Sequence, residues 1–194
     1  MATKNNRRTQ ITKMLLKNSL IELMHHKTIN QITIKEICEQ ADLNRSTFYL
    51  HYTDQFALLD DIENEIIHTT FEYLQNVSPN LDTLTYIETF LNYVKKNVVI
   101  FETLLCHQET AGFQDLFISK ILEKLKDRLP FKCSDEIKSY IYTFLLHGCI
   151  HIIIDWINHD FDLSTASISN LIFELCDQCR QIPYLSAEAD ANSI

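Results

Sequence analysis

Three features of this 194-residue chain predict an all-α fold. It holds only two glycines and three prolines, too few for the tight turns that a sheet protein needs. Apolar residues recur three and four positions apart through most of its length, which is the spacing of one helix face. Capping residues stand just ahead of many of those runs. With 46% apolar and 22% charged residues, the composition is that of a folded globular chain, long enough to bury a core.

The elements follow in order. From Thr9 to about His26, Ile11, Leu15, Leu16, Leu20, Leu23 and Met24 form an inward stripe, with Lys13 and Lys17 on the other face. Thr33 and Glu36 have the spacing of a capping box and open a short helix that ends near Ala41 and Asp42. Asn44 is placed to cap a third helix from Arg45 to about His51. Asp54 caps a longer helix to about Asn76, with Phe56, Leu58, Leu59, Ile62, Ile66 and Ile67 inward, and Ser78-Pro79 breaks it. Asp82 caps the next, followed by an apolar stretch from Val98 to Leu105, a polar link around Gly112, and a helix from Leu116 to Leu129 closed by Pro130. Ser134-Asp135 opens a long helix to about Asn158, apolar almost all round and therefore in need of cover on every side. A last helix starts at Asp162 or Ser164 and runs to about Arg180, and Tyr184 to Ile194 reads as a loose tail.

Charge divides the chain. The net is −9, yet through Tyr52 there are eight Lys/Arg against four acids, leaving −13 on the rest. A basic head on an acidic body is the layout of a DNA-binding protein, because phosphates attract cations. No run of about 18 apolar residues occurs and no apolar segment follows the first residues, so neither a membrane span nor a cleaved signal is expected and the location reads as cytoplasmic. The six cysteines then read as free thiols in a reducing compartment. Cys176-x-x-Cys179 is half a zinc site without a second half at the usual spacing.

The segment Thr33 to Tyr52 has the pattern of a helix-turn-helix, in which two helices joined by a short fixed turn place the second in the major groove. Ile34, Ile37, Cys38, Ala41, Leu43 and Phe48 can pack inward, leaving Lys35, Arg45, Ser46, Thr47, Tyr49 and His51 outward. Arg45 begins the recognition helix, where its planar fork can take a guanine in two hydrogen bonds. Thr47, Tyr49 and His51 are placed for phosphates.

The run ITIKEICEQADLNRSTFYLHYTDQFALL resembles the N-terminal domain of the TetR/AcrR family of regulators, over about Thr9 to Leu59, with the core Thr47 to Tyr52 the most specific part. The resemblance implies a three-helix DNA-binding head, about six further helices forming a ligand-binding and dimerisation body, and a homodimer made through the last two helices. It also implies that Thr33, Lys35, Arg45, Ser46, Thr47, Tyr49 and His51 touch operator DNA. The corresponding domains are 1–54 for the head, 55–184 for the body and 185–194 for a flexible tail. The chain departs from the family at two places. Asp42 stands where the turn usually has glycine, and Gln55 stands where the fourth helix usually begins with lysine. The first is tolerable in a left-handed turn; the second removes a phosphate contact, for which Lys4, Arg7 and Arg8 are placed to compensate.

In the body, Phe90, Tyr93, Phe113, Phe117 and Tyr140 are aromatic candidates for a pocket wall or for core. Phe101, His107, Phe144, His147, His151 and Trp156 are singled out as candidate ligand contacts. His147 and His151 lie one turn apart, a spacing that presents two ligands to one metal as readily as it makes an interface, and Cys106-His107 lies on another segment. Gly148 inside the long helix suggests close approach of a second helix, with dimer packing the favoured reading, or else space for a ligand. No metal or cofactor is expected, and no Ser-His-Asp set or phosphate loop supports an enzyme. The sequence therefore reads as a homodimeric, ligand-responsive repressor bound to palindromic double-stranded DNA, with an unknown small-molecule effector and no membrane partner. The alternative is a co-regulator of the same fold that acts mainly through a protein partner.

Overall fold

The computed structural model describes residues 2–77, 82–106, 111–125, 131 and 133–181, and every regular element among them is helical. The helices are α1 (Ala2–Met24), α2 (Ile34–Gln40), α3 (Arg45–Tyr49), α4 (Gln55–Val77), α5 (Thr83–Lys96), α6 (Val98–Cys106), α7 (Ala111–Leu125), α8 (Asp135–Asn158) and α9 (Thr165–Arg180), with a 3-10 turn at Ile29–Gln31. The chain divides into two compact units, one ending at Thr69 and the other beginning at Thr70, so that α4 contributes to both.

The first unit is built on local signals that the sequence displays. Thr33 caps α2 by accepting from the Glu36 amide, while Glu36 accepts from the Thr33 amide at 2.9 Å and from its hydroxyl at 2.7 Å. Asp54 caps α4 by accepting from the Ala57 amide at 2.8 Å. Leu16, Leu20, Ile37, Phe48 and Leu58 are fully buried, each worth about 1.5–3 kcal/mol of apolar transfer. The unit runs past the expected boundary at residue 54 because the early turns of α4 bury Leu58, Leu59 and Ile62 and carry Asp61, which pairs with α1.

In the second unit α5 lies along α9, while α6, α7 and α9 each pack on α8. Asp82 caps α5 at 3.0 Å from the Thr85 amide, and Ser164 caps α9 at 3.1 Å from the Ser167 amide. The rings of Phe90, Phe101 and Phe117 meet one another at centroid distances of 6.4, 6.0 and 6.2 Å in a buried cluster. The turn after α8 returns two amides to its last carbonyls, Asp160 to Ile157 at 3.0 Å and Phe161 to Trp156 at 2.9 Å. It holds both residues at positive φ.

Several expectations are corrected. The first helix starts at Ala2 rather than Thr9, and Gly112 lies inside α7 rather than in a link before it. Ile11, Leu15 and Phe56 are exposed. Asn44 holds the N-cap position of α3, but its side chain makes no cap hydrogen bond. On α8, Tyr140 and Phe144 are 78% and 72% exposed, so one side of that helix has no cover among the described residues. By length and composition α8 could also cross a membrane, but Leu145, Leu146, Ile150, Ile153 and Trp156 are buried in the unit's core. Pro130 and the segment from Tyr184 to Ile194 lie outside the described residues.

Candidate nucleic-acid interface

The turn between α2 and α3 is a closed hydrogen-bonded loop. The Leu43 amide donates to the Cys38 carbonyl at 2.9 Å and the Asp42 amide to the Glu39 carbonyl at 3.3 Å, the paired bonds that end a helix on a left-handed residue. That residue is Asp42, at φ 53°, as expected where the glycine is missing. Below the turn, Ile37, Cys38, Ala41 and Phe48 are buried, and Ile34 and Leu43 half-buried. The turn therefore fixes α3 against α2 and leaves one face of α3 in water.

That exposed face carries Arg45, Ser46 and Tyr49, with Thr47 and His51 half-buried at its edge. Tyr49 is 59% exposed, and its ring stands edge-on against buried Phe48 at 5.7 Å, which restrains the direction of its hydroxyl. Lys35 is exposed on α2 and only loosely paired with Glu39 at 3.6 Å, so it is free to turn to another anion. Thr33 is exposed too, but its hydroxyl is committed to Glu36. Hydrogen bonds from Lys27 and Thr33 hold the Glu36 carboxyl down to about 2. Leu50 was not anticipated. At 79% exposure beside Tyr49 it is an apolar side chain left in water, and nothing in the sequence alone set it apart from the buried leucines.

The basic head is less basic than its sequence count. Lys13 and Lys17 reach Asp61 at 3.3 and 3.0 Å, Lys17 also pairs with Glu65, and Lys27 pairs with Glu36. Counted to Thr69, eight Lys/Arg face nine acids, a net of −1. Lys13 and Lys17 of α1 thus hold α4, and among the head's described side chains positive charge open to a polyanion is left to Arg7, Arg8, Lys35 and Arg45, all exposed. Gln55, the first residue of α4, is half-buried and uncharged.

The second unit encloses a cavity of about 90 Å³ with an apolar wall. It is lined by Thr70, Phe71 and Leu74 of α4, by Thr83, Tyr86, Ile87, Phe90 and Leu91 of α5, by Phe117 and Ile121 of α7, by Tyr142, Leu145, Leu146, Cys149, Ile150 and Ile153 of α8, and by Ile172 and Cys176 of α9. Of the ligand contacts singled out from sequence, Phe101 is buried in the aromatic cluster and Trp156 donates from Nε1 to the Leu163 carbonyl at 2.9 Å, with its ring against Phe161. Phe144, His147 and His151 are exposed on α8, and His151 Nδ1 bonds the His147 carbonyl at 2.8 Å. None of these five lines the cavity, and His107 lies outside the described residues. Phe90 and Phe117, named from sequence as wall or core candidates, do line the cavity, and the rest of the α5 wall was legible as a helical stripe, since Thr83, Tyr86, Ile87 and Leu91 are spaced on one face with Phe90. Among the described residues no three His, Cys, Asp or Glu side chains gather as a metal site.

A helix-turn-helix with an exposed second helix, followed by an all-helical unit around an apolar cavity, defines a helical transcriptional regulator. Residues 82–178, half of the chain, match the family model TetR_C_8, described as a transcriptional regulator C-terminal region. The chain belongs to the TetR family of transcriptional regulators, whose members are not enzymes. It is 26% identical over 179 residues to the uncharacterized HTH-type transcriptional regulator YxbF of Bacillus subtilis (strain 168), across 85% of this chain. That match spans only 44% of the relative's own length. Among solved structures, a TetR transcriptional regulator from Streptococcus agalactiae 2603V superposes with a TM-score of 0.73 at 22% identity, covering 91% of this chain and 99% of that one. NalD, the secondary repressor of the MexAB-OprM multidrug efflux pump in Pseudomonas aeruginosa, superposes with a TM-score of 0.65 at 15% identity, covering 89% and 96%. These two likenesses describe the fold.

Proposed function

We propose that the chain is a homodimeric repressor that binds a near-palindromic operator through α3 and is released by an uncharged, apolar effector held in the cavity. The observation that carries the reading is the exposed α3 face, where Arg45, Ser46 and Tyr49 stand on a turn locked by its own hydrogen bonds. Arg45 reads a guanine edge, Tyr49 and Thr47 take phosphates, and Leu50 meets a thymine methyl group. Two such helices must enter successive major grooves about 34–36 Å apart, which a dimer with two-fold symmetry provides.

The dimer reading rests on the uncovered side of α8. Tyr140, Phe144, His147 and His151 follow at helical spacing on one exposed face, and Leu171 and Leu175 of α9 are exposed as well. A second copy of the same two helices would bury them. The effector reading rests on the cavity, whose walls offer no charge and so favour a neutral, lipophilic molecule. Because α4 supplies Thr70, Phe71 and Leu74 to that wall and Asp61 to the first unit, an occupant that parts the wall moves a helix which the head also holds. A repressor role is in keeping with the printed title of NalD, and binding to the chromosome places the protein in the cytoplasm.

The test is binding of the purified chain to labelled duplexes tiled across the DNA upstream of its own coding sequence, over a range of salt. Sequence-selective binding that weakens steeply with salt supports the reading. Equal, weak binding to every duplex contradicts it. In that event the second reading gains: a co-regulator acting mainly through a protein partner, favoured by the neutralised Lys13, Lys17 and Lys27 and by the uncharged Gln55.

A further inference from the structure

Two of the six cysteines come together on the cavity wall. Cys149 of α8 and Cys176 of α9 both line it, and their sulfurs are 3.9 Å apart. Cys149 projects from the side of α8 opposite Tyr140, Phe144, His147 and His151, so a partner seated on that exposed face would leave the pair open to the cavity. One sulfur hydrogen-bonds the other. The hydrogen bond to Cys149 and the guanidinium of Arg180, one turn along α9, favour the Cys176 thiolate against its burial. The same bond, together with burial, pushes the Cys149 thiol far up. Arg180 pairs with Asp177 through a terminal nitrogen, and its Nε is buried with no hydrogen-bond partner among the described residues. A buried dithiol on an apolar wall, one thiol of which ionises more readily than the other, is poised to react with a small apolar electrophile rather than a charged one.

We propose that Cys149 and Cys176 form an oxidant-reactive dithiol in the cavity, closed to a disulfide by small apolar organic hydroperoxides. The Cys176 thiolate attacks the terminal peroxide oxygen, the O–O bond breaks, and the departing alkoxide takes the Cys149 proton to leave as an alcohol. Cys149, now a thiolate, attacks the Cys176 sulfenic sulfur and expels hydroxide, which becomes water with the proton that Cys176 first released. The two sulfurs lose two electrons in all and the hydroperoxide gains them. The sulfurs must close from 3.9 Å to about 2.05 Å, so the product staples α8 to α9 across the wall. Cys179, one turn from Cys176, does not line the cavity and takes no part. The chemistry is independent of whether α3 binds DNA.

The test exposes the native full-length chain to stoichiometric tert-butyl hydroperoxide or hydrogen peroxide, then counts free thiols in denaturant and maps cross-linked peptides by mass spectrometry. Free thiols should fall from six by two, with a Cys149–Cys176 cross-link in the monomeric chain. Relative to the unfolded chain, the folded chain should prefer the apolar hydroperoxide by about tenfold, the ratio that about 1.4 kcal/mol of apolar burial supplies. Cys179→Ser should behave like the parent, and Cys149→Ser should leave a dimedone-trappable sulfenic acid on Cys176. A cross-link through Cys179, oxidation without a Cys149–Cys176 link, no thiol loss, or equal preference in folded and unfolded chains overturns the proposal.

Discussion

The Tyr52 hydroxyl donates a 2.6 Å hydrogen bond to Asp61, and the same carboxylate receives Lys13 and Lys17 from α1. Tyr52 is buried at the end of the recognition segment, with Lys13 lying 5.2 Å from its ring centre. One carboxylate thus ties α1, α4 and the residues just after α3, and it sets the platform from which Arg45 and Tyr49 project. Burial pushes the Asp61 carboxyl up but is outweighed by the bonds from Tyr52 and Lys17 and by the lysine charges, which bring it down to about 2. Tyr52→Phe should cost about 1.5–3 kcal/mol, the range for a hydrogen bond to a charged group, with partial exposure of Asp61 favouring the lower end. A thermal melt followed by circular dichroism measures it, and an unchanged midpoint would refute the tie.

The acid limb follows from the same group. A carboxylate whose folded pKa lies below its unfolded value adds stability above the unfolded value and loses it as pH falls through the folded one. With Asp61 lowered from 3.8 to about 2, its contribution is intact at neutral pH and disappears between about pH 4 and pH 2. Asp61→Asn should lower stability at pH 7 and flatten its slope across that acid window. A variant whose unfolding free energy keeps the parent slope there would contradict the assignment.

Thr33→Ala removes a hydroxyl that accepts from the Glu36 amide and donates to its carboxylate. Loss of such a cap costs about 1 kcal/mol. Thr33→Ser should recover most of it, since serine caps as well. Amide exchange across Ile34 to Gln40 reports the effect, and equal protection in all three proteins would show that the box does not hold α2.

Gly148→Ala separates chain stability from assembly. An alanine Cβ at that position meets nothing within 4 Å among the described residues, so the substitution should stabilise α8 by about 1 kcal/mol through helix propensity. If α8 packs closely on its copy, the added methyl should nevertheless weaken self-association in sedimentation equilibrium. A more stable protein with unchanged or tighter association would place the dimer contact elsewhere.

The legible parts of this molecule are those fixed within a few residues. The Thr33–Glu36 box, the caps at Asp54, Asp82 and Ser164, and the tolerance of Asp42 for a left-handed turn each depend on side chains and backbone that are neighbours in sequence. What could not be read depended on distant partners. Lys13 looked like an open cation because Asp61, which neutralises it, lies 48 residues away. Phe56 looked inward from its spacing, although the stripe it begins is wider than the face that is buried. On α8, apolar nearly all round, periodicity alone cannot say which side faces the cavity and which faces out. The aromatic and imidazole residues chosen by chemistry therefore fell on Phe144, His147 and His151, while plain Leu145, Ile150 and Ile153 form the wall.

The most direct measurement of the central claim, that the face of α3 recognises DNA, is the affinity of Arg45→Ala and Tyr49→Phe for the best upstream duplex and for its guanine-substituted variants. Arg45→Ala should lose about 1–3 kcal/mol on the intact site and none on a site whose contacted guanine is already replaced, because one bidentate base contact is lost once. Tyr49→Phe should weaken every duplex by the same factor, as loss of a phosphate contact does. Parental affinity and base preference in both variants would contradict the account.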